Sequence, residues 1–333
     1  MSEIRQNIAT KDWVIIATER AKRPRDFLKK KKKKAKLPEY DRECPFCPGN
    51  EHRAPVETFS IREGGKWKVR SIPNKFPAVS DTGKLLSRGK GIIRRTSGIG
   101  MHDVIIETPL HNMTTALLDN EQVLDIIAAY RARYLEVMKD PRIELVMFFK
   151  NHGERAGTSI IHPHSQMVAI PVVPAYIRYR IEEAMRYYDD HRECVFCRML
   201  REELKTGERV ILDTRYFTVF MPYAALSPFH TWILPKRHMS LFTEISEEEM
   251  LDFASVLKTV LKKIYYGLED ADYNYVIRSM PGAAGSNRYF HWYFSIIPRV
   301  TRSAGFELGS GMFINTALPE ESAKFLRKVK IKG

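Results

Sequence analysis

In the segment His162-Pro163-His164-Ser165-Gln166, two histidines stand two residues apart, so on an extended strand both imidazoles face the same side. One ring can then hold a metal while the other does chemistry. Asn151, Gly153, Gly157, Thr158 and Ser159 just upstream are small or polar, which suits backbone and hydroxyl donors closing on an anionic group. The pattern points to phosphate chemistry. Imidazole has an ordinary pKa of about 6.5, so a neutral nucleophile is available at physiological pH. A phosphoramidate formed on it is reactive enough to pass its group onward, whereas a serine ester would be more inert.

All four cysteines fall in two Cys-x-x-Cys pairs, Cys44-Pro45-Phe46-Cys47 and Cys194-Val195-Phe196-Cys197, leaving none for a disulfide framework. Such a pair is either redox-active or half of a tetrahedral zinc site. Two copies favour zinc, and Pro48, Gly49 and Asn50 continue a turn where a redox pair would start a helix. Each pair needs two further ligands, most naturally histidines.

The pairs lie 150 residues apart, and similar features follow each in the same order, so the chain reads as a duplicated unit. In the first copy His111 precedes a helix starting near Asp119, with Val123, Ile126, Ile127, Tyr130 and Tyr134 at helical spacing. A strand from Ile143 to Phe149 and a Gly-rich loop lead to His162 and His164. In the second, His238 precedes a helix announced by Ser246 and Glu249 as a capping box, with Met250, Phe253, Leu257, Val260, Leu261 and Ile264 as its buried stripe. A strand from Tyr273 to Arg278 and the loop Pro281-Gly282-Ala283-Ala284-Gly285 lead to His291. The expected zinc ligands are Cys44, Cys47, His111 and His162, then Cys194, Cys197, His238 and His291. His102 and His230 are in reserve, His102 being better placed at the start of a strand from Asp103 to Glu107. By spacing from His238, His291 matches His164, and Tyr289 takes the place of His162.

At 333 residues and 44% hydrophobic content the chain suits two domains with real cores, expected at 1–172 and 173–333. No apolar run approaches the ~18 residues of a membrane span, and the N-terminus lacks a signal-peptide stretch, so a cytoplasmic protein is expected. The net charge of +14 favours anionic partners. Much of it comes from Lys29 to Lys34, a run read as a solvated loop. A zinc-knuckle nucleic-acid binder would share this charge, yet it has no need of a His-Pro-His-Ser-Gln strand at a fixed distance from a metal quartet. Nucleic acid is therefore an unlikely partner.

These residues, with Trp13-Val14-Ile15-Ile16, Arg20-Ala21-Lys22-Arg23-Pro24, Pro73-Asn74-Lys75-Phe76-Pro77-Ala78 and Gly305-Phe306-Glu307, resemble the galactose-1-phosphate uridylyltransferase family of the histidine-triad superfamily. The resemblance implies an α+β fold of two tandem histidine-triad-like units, each an antiparallel sheet with helices packed on one face, joined as a pseudo-dimer. It implies transfer of UMP from UDP-glucose to galactose 1-phosphate through a covalent uridylyl group on His164, with Gln166 bonding the phosphate. Arg20, Arg23, Asn74, Asn151, Gly157 and Ser159 match nucleotide-lining positions, and Glu307 a sugar-binding glutamate. Family members often form homodimers with both chains at the site. Ser165, where glycine is frequent, and the second cysteine pair also occur in the related ADP-glucose phosphorylase-like branch, which transfers AMP to phosphate.

Overall fold

A computed structural model describes residues 2–20, 24–27, 37–282 and 287–331. Arg23, the lysine run and Ala283 to Gly285 lie outside the described residues. The first unit holds β1 (Glu3–Gln6), β2 (Trp13–Ile16), β3 (Phe59–Glu63), β4 (Lys66–Pro73), β5 (Ser87–Lys90), β6 (Ile93–Thr96), β7 (Met101–Ile106), α1 (Asn120–Val137), β8 (Leu145–His152) and β9 (His164–Ile170). The second holds α2 (Ala175–His191), α3 (Val195–Thr206), β10 (Val210–Asp213), β11 (Phe217–Phe220), β12 (Thr231–Pro235), α4 (Glu247–Gly267), β13 (Tyr273–Arg278) and β14 (Tyr293–Pro298). Helix α5 (Gly305–Ser310), β15 (Phe313–Asn315) and α6 (Pro319–Lys328) follow.

The capping box is present at the second helix, where the Ser246 side chain accepts from the Glu249 N–H, and Asp119 does the same with Gln122 at α1. Every apolar position named above for α1 and α4 is buried. Each large side chain so buried contributes about 1.5–3 kcal/mol. The two helices pack together, and their stripes share one core with Phe148, Met167, Phe217 and Trp292.

Ten strands form one sheet in the order β10-β11-β12-β14-β13-β8-β9-β7-β4-β3, with every neighbour antiparallel. The order reads as two five-strand sets back to back, β8 pairing with β13 at the middle. This is the pseudo-dimer implied by the duplication. That seam carries Asn151 opposite Asn274 and His152 opposite Tyr273. It extends β8 three residues past the expected end at Phe149. Strand β15 pairs parallel with β2, so the end of the chain returns to its beginning. Among the described residues no helix is long and apolar enough to cross a membrane.

The register expectation for the second unit requires correction. His291, completely buried, lies with its Nδ1 3.4 Å from the Cys197 Sγ, so it occupies the place of His162. Strands β9 and β14 then start at equivalent positions, and Tyr293, not His291, matches His164. The cause is loop length. His162 follows Asn151 by 11 residues, whereas His291 follows Arg278, the equivalent position, by 13.

Candidate active site and metal centres

The first cysteine pair forms a tight knuckle, with the Cys47 N–H donating to the Cys44 carbonyl at 3.3 Å. Asn50 pins it, since its side-chain amide donates to the carbonyls of Asp41, Arg42 and Cys44, the last at 2.8 Å. His111 enters from the segment after β7 and His162 from just before β9. Cys47 Sγ is 3.6 Å from Nδ1 of both histidines, and Cys44 Sγ is 3.7 Å from that of His162. All four residues are buried. A tetrahedron with bonds of about 2.2 Å has edges of about 3.6 Å, so these separations fit four ligands around one ion. His162 Nε2 donates to the Thr108 carbonyl at 2.7 Å, which leaves Nδ1 as the lone-pair nitrogen. Burial pushes His162 down to about 4, so its ring stays neutral at physiological pH. Burial also pushes the Cys44 thiol up to about 11, an effect a bound cation would reverse.

In the second quartet, Cys197 Sγ lies 3.3 Å from His238 Nδ1 and 3.4 Å from His291 Nδ1, and Cys194 completes the set. His238 Nε2 is fixed by the Asn287 carbonyl at 2.8 Å. Cys194 caps α3, a location equally suited to a redox pair; the two convergent imidazoles favour a metal. Both quartets could hold a metal ion.

His164 opens β9 and is 7% exposed. Its Nδ1 lies 2.9 Å from the carbonyl of His162. A carbonyl only accepts, so Nδ1 carries the proton and Nε2 keeps the lone pair. Burial, the largest influence, holds the ring below the ordinary histidine range despite that carbonyl. Phe46 packs edge-on against both His162 and His164, tying the His164 ring to the knuckle.

Gln166 shares the His164 face of β9. His102, opposite Val168 on β7, accepts the Ala78 N–H at Nδ1 (3.2 Å), so its Nε2–H donates to the Gln166 Oε1 at 2.9 Å. The Gln166 amide group is thereby left free to donate. His102 is thus not a spare ligand but the residue that orients Gln166. Asn74 touches the same ring at 3.1 Å. Asn151 stands two residues beyond Phe149, which pairs with Gln166, so its side chain lies on that face. It is held by the Asn274 amide at 2.8 Å.

The loop from β8 to β9 carries Gly157 at φ +91° and the exposed Ser159. Gly153, at φ +84°, lies so close to Asp272 that a Cβ would meet it at 2.3 Å. Arg20 ends the 3-10 turn Thr18–Arg20. The Glu307 carboxylate accepts the Ala304 N–H at 2.9 Å at the start of its own helix.

Sequence reasoning missed the network under β9. Glu107 and Lys150 form a fully buried ion pair; Thr115, Tyr130 and Tyr275 also bond Glu107, and Tyr130 reaches the Ser165 hydroxyl at 2.6 Å. Tyr275 belongs to the second unit, so the network ties both units to β9. His230, the other reserve ligand, is a core residue: Nδ1 accepts the Leu226 N–H and Nε2 bonds Ser295. A cavity of about 680 Å³ lies between Gln6–Ile8 and α2–α3, but no residue of the His164 site lines it. Chemistry, not volume, locates the site.

Comparison with known proteins agrees with this arrangement. Residues 1–174 match the N-terminal domain of galactose-1-phosphate uridyl transferase and residues 177–327 its C-terminal domain. The chain is 36% identical to an ADP-glucose phosphorylase of Arabidopsis thaliana over 99% of its length and 93% of that protein. A crystal structure of an Arabidopsis thaliana ADP-glucose phosphorylase with bound ADP-glucose superposes with a TM-score of 0.84 at 32% identity, covering both chains fully. A galactose-1-phosphate uridylyltransferase of Thermotoga maritima is 28% identical over 99% of each chain. Two family domains in tandem, matching almost end to end, place this chain in the galactose-1-phosphate uridyl transferase family.

Proposed function

We propose that the protein is a nucleotidylyltransferase that exchanges UMP between UDP-glucose and galactose 1-phosphate. His164 Nε2 attacks the α-phosphorus; the N–P bond forms as the P–O bond to the β-phosphate breaks, and glucose 1-phosphate leaves. A phosphate oxygen of galactose 1-phosphate then attacks, the N–P bond breaks and UDP-galactose leaves. The observation that carries this reading is the fixed tautomer of His164. Its Nδ1–H on the His162 carbonyl aims a neutral Nε2 without a conformational search and steadies the positive ring after attack. The free Gln166 amide would bond the transferring phosphoryl oxygens. Arg20, Arg23, Asn74, Asn151, Gly157 and Ser159 would line the nucleotide, and Glu307 would bind the sugar.

Zinc in each quartet would supply a structural tie, because four protein ligands leave no open position. Thiols gathered as metal ligands also support a cytoplasmic location. Membership of a family whose members often pair with both chains at the site supports a homodimer.

A second reading, AMP transfer from ADP-glucose to phosphate, is supported by the 36% identity to an ADP-glucose phosphorylase. One experiment tests both. With no acceptor present, labelled glucose 1-phosphate is expected to exchange into UDP-glucose, and the intact chain to gain the mass of UMP. Exchange confined to ADP-glucose would keep the histidine chemistry and change the nucleotide. No exchange with either would end the covalent reading.

His102→Leu should lower kcat about tenfold, the value of one orienting hydrogen bond, with metal content unchanged. Loss of a metal ion from that variant would instead make His102 a ligand.

A further inference from the structure

The second unit retains the counterpart of the catalytic site. Aligning the two ladders on His162 and His291 puts Tyr293 where His164 stands, Ser295 for Gln166, His230 for His102 and Arg278 for Asn151. Even the support is kept, since His230 Nε2 bonds the Ser295 hydroxyl at 2.9 Å as His102 bonds Gln166. The nucleophile is gone, however, and α2 closes the place. Arg180 donates to the Tyr293 hydroxyl at 3.0 Å and to Asp12 at 2.6 Å. Its Nε is buried with no partner.

What remains is a cavity of about 20 Å³ lined by Asp12, Arg180, His230, Arg278, Tyr293 and Ser295. Its charge does not balance. Arg180 is paired with Asp12, while Arg278 forms no ion pair or hydrogen bond among the described residues and faces Arg180 across the cavity. Burial pushes His230 down to about 3, so it adds no charge and cannot offset one. Arg278 keeps some contact with solvent, so its unpaired charge costs less than a dry one would, but the buried, unpartnered Arg180 Nε–H beside it is costly. A cavity of this size has room for about one small body, a water molecule or a halide ion. A water could satisfy the Nε but not the charge, and a phosphate or carboxylate ligand would not fit.

We infer that the closed second site binds a single monovalent inorganic anion of chloride size between the Arg180 Nε–H and the Arg278 guanidinium. The test uses the full-length protein, melted in potassium chloride and in potassium gluconate at equal ionic strength. Chloride should raise the melting temperature by about 3 °C or more through preferential binding to the folded state. Arg278→Met should erase the difference. Crystals of the unaltered protein grown in bromide should show an anomalous peak between the two arginines, a result that stands even if the variant fails to fold. Equal melting in both salts, or only a water at that position, would overturn the inference. So would stabilisation by phosphate and not by chloride.

Discussion

Replacing His164 with alanine is expected to abolish nucleotidyl transfer, on the order of 10⁴-fold or more, as when a covalent nucleophile is removed elsewhere. The fold should survive with both quartets loaded. His164 Nδ1 donates to a backbone carbonyl, and among the described residues the ring belongs to neither group that could hold a metal. What is lost in stability is one hydrogen bond and the edge contact with Phe46, about 1–2 kcal/mol. The measurement combines turnover, intact mass after incubation with sugar nucleotide, and metal content by atomic emission. A variant that keeps a sizeable share of turnover, or still gains a nucleotidyl adduct, would remove His164 from the covalent role. One that loses a metal ion would make it a ligand.

How far the site was legible follows from the range of its contacts. The knuckles, the capping boxes and the buried stripes of α1 and α4 are local patterns, so spacing alone locates them. The quartets were also legible, because a two-residue cysteine spacing asks for partners and the duplication offers them in order. The true end of β8 was not, since Asn151 and His152 are extended only by pairing with a strand more than a hundred residues away. Counting residues from His238 set His291 on His164, because two residues inserted between β13 and β14 cannot be told from a shifted histidine until the thiols are seen beside Nδ1. His102 was weighed as a ligand for its residue type. Its role depends on which side chain lies across the sheet, and Gln166 is two strand positions from the residue opposite it. Glu107 marked only the end of a strand and Lys150 only added to the net charge, although each is buried against the other beneath β9.

The two quartets should respond differently to the same substitution. His162→Ala removes one of four ligands and also the ring whose Nε2–H anchors the entry to β9 on the Thr108 carbonyl. The carbonyl that fixes the His164 tautomer belongs to this same residue, so its displacement reaches the His164 ring directly. The variant is expected to lose about one metal ion per chain, more than about 4 kcal/mol of stability, a value typical of metal loss, and nearly all activity. His291→Ala should lose one metal ion too, but its neighbour at the position of His164 is Tyr293, whose hydroxyl accepts from Arg180. Activity should therefore fall only as far as the weakened fold requires and recover at lower temperature. Metal analysis, thermal melting and turnover measured on both variants separate the cases. Full metal content in His162→Ala would mean that the ligand set is wrong. Equal and irreversible loss of activity in both would mean that the second quartet is coupled to catalysis, a coupling the seam between β8 and β13 could carry but the separate bonding of His164 does not require.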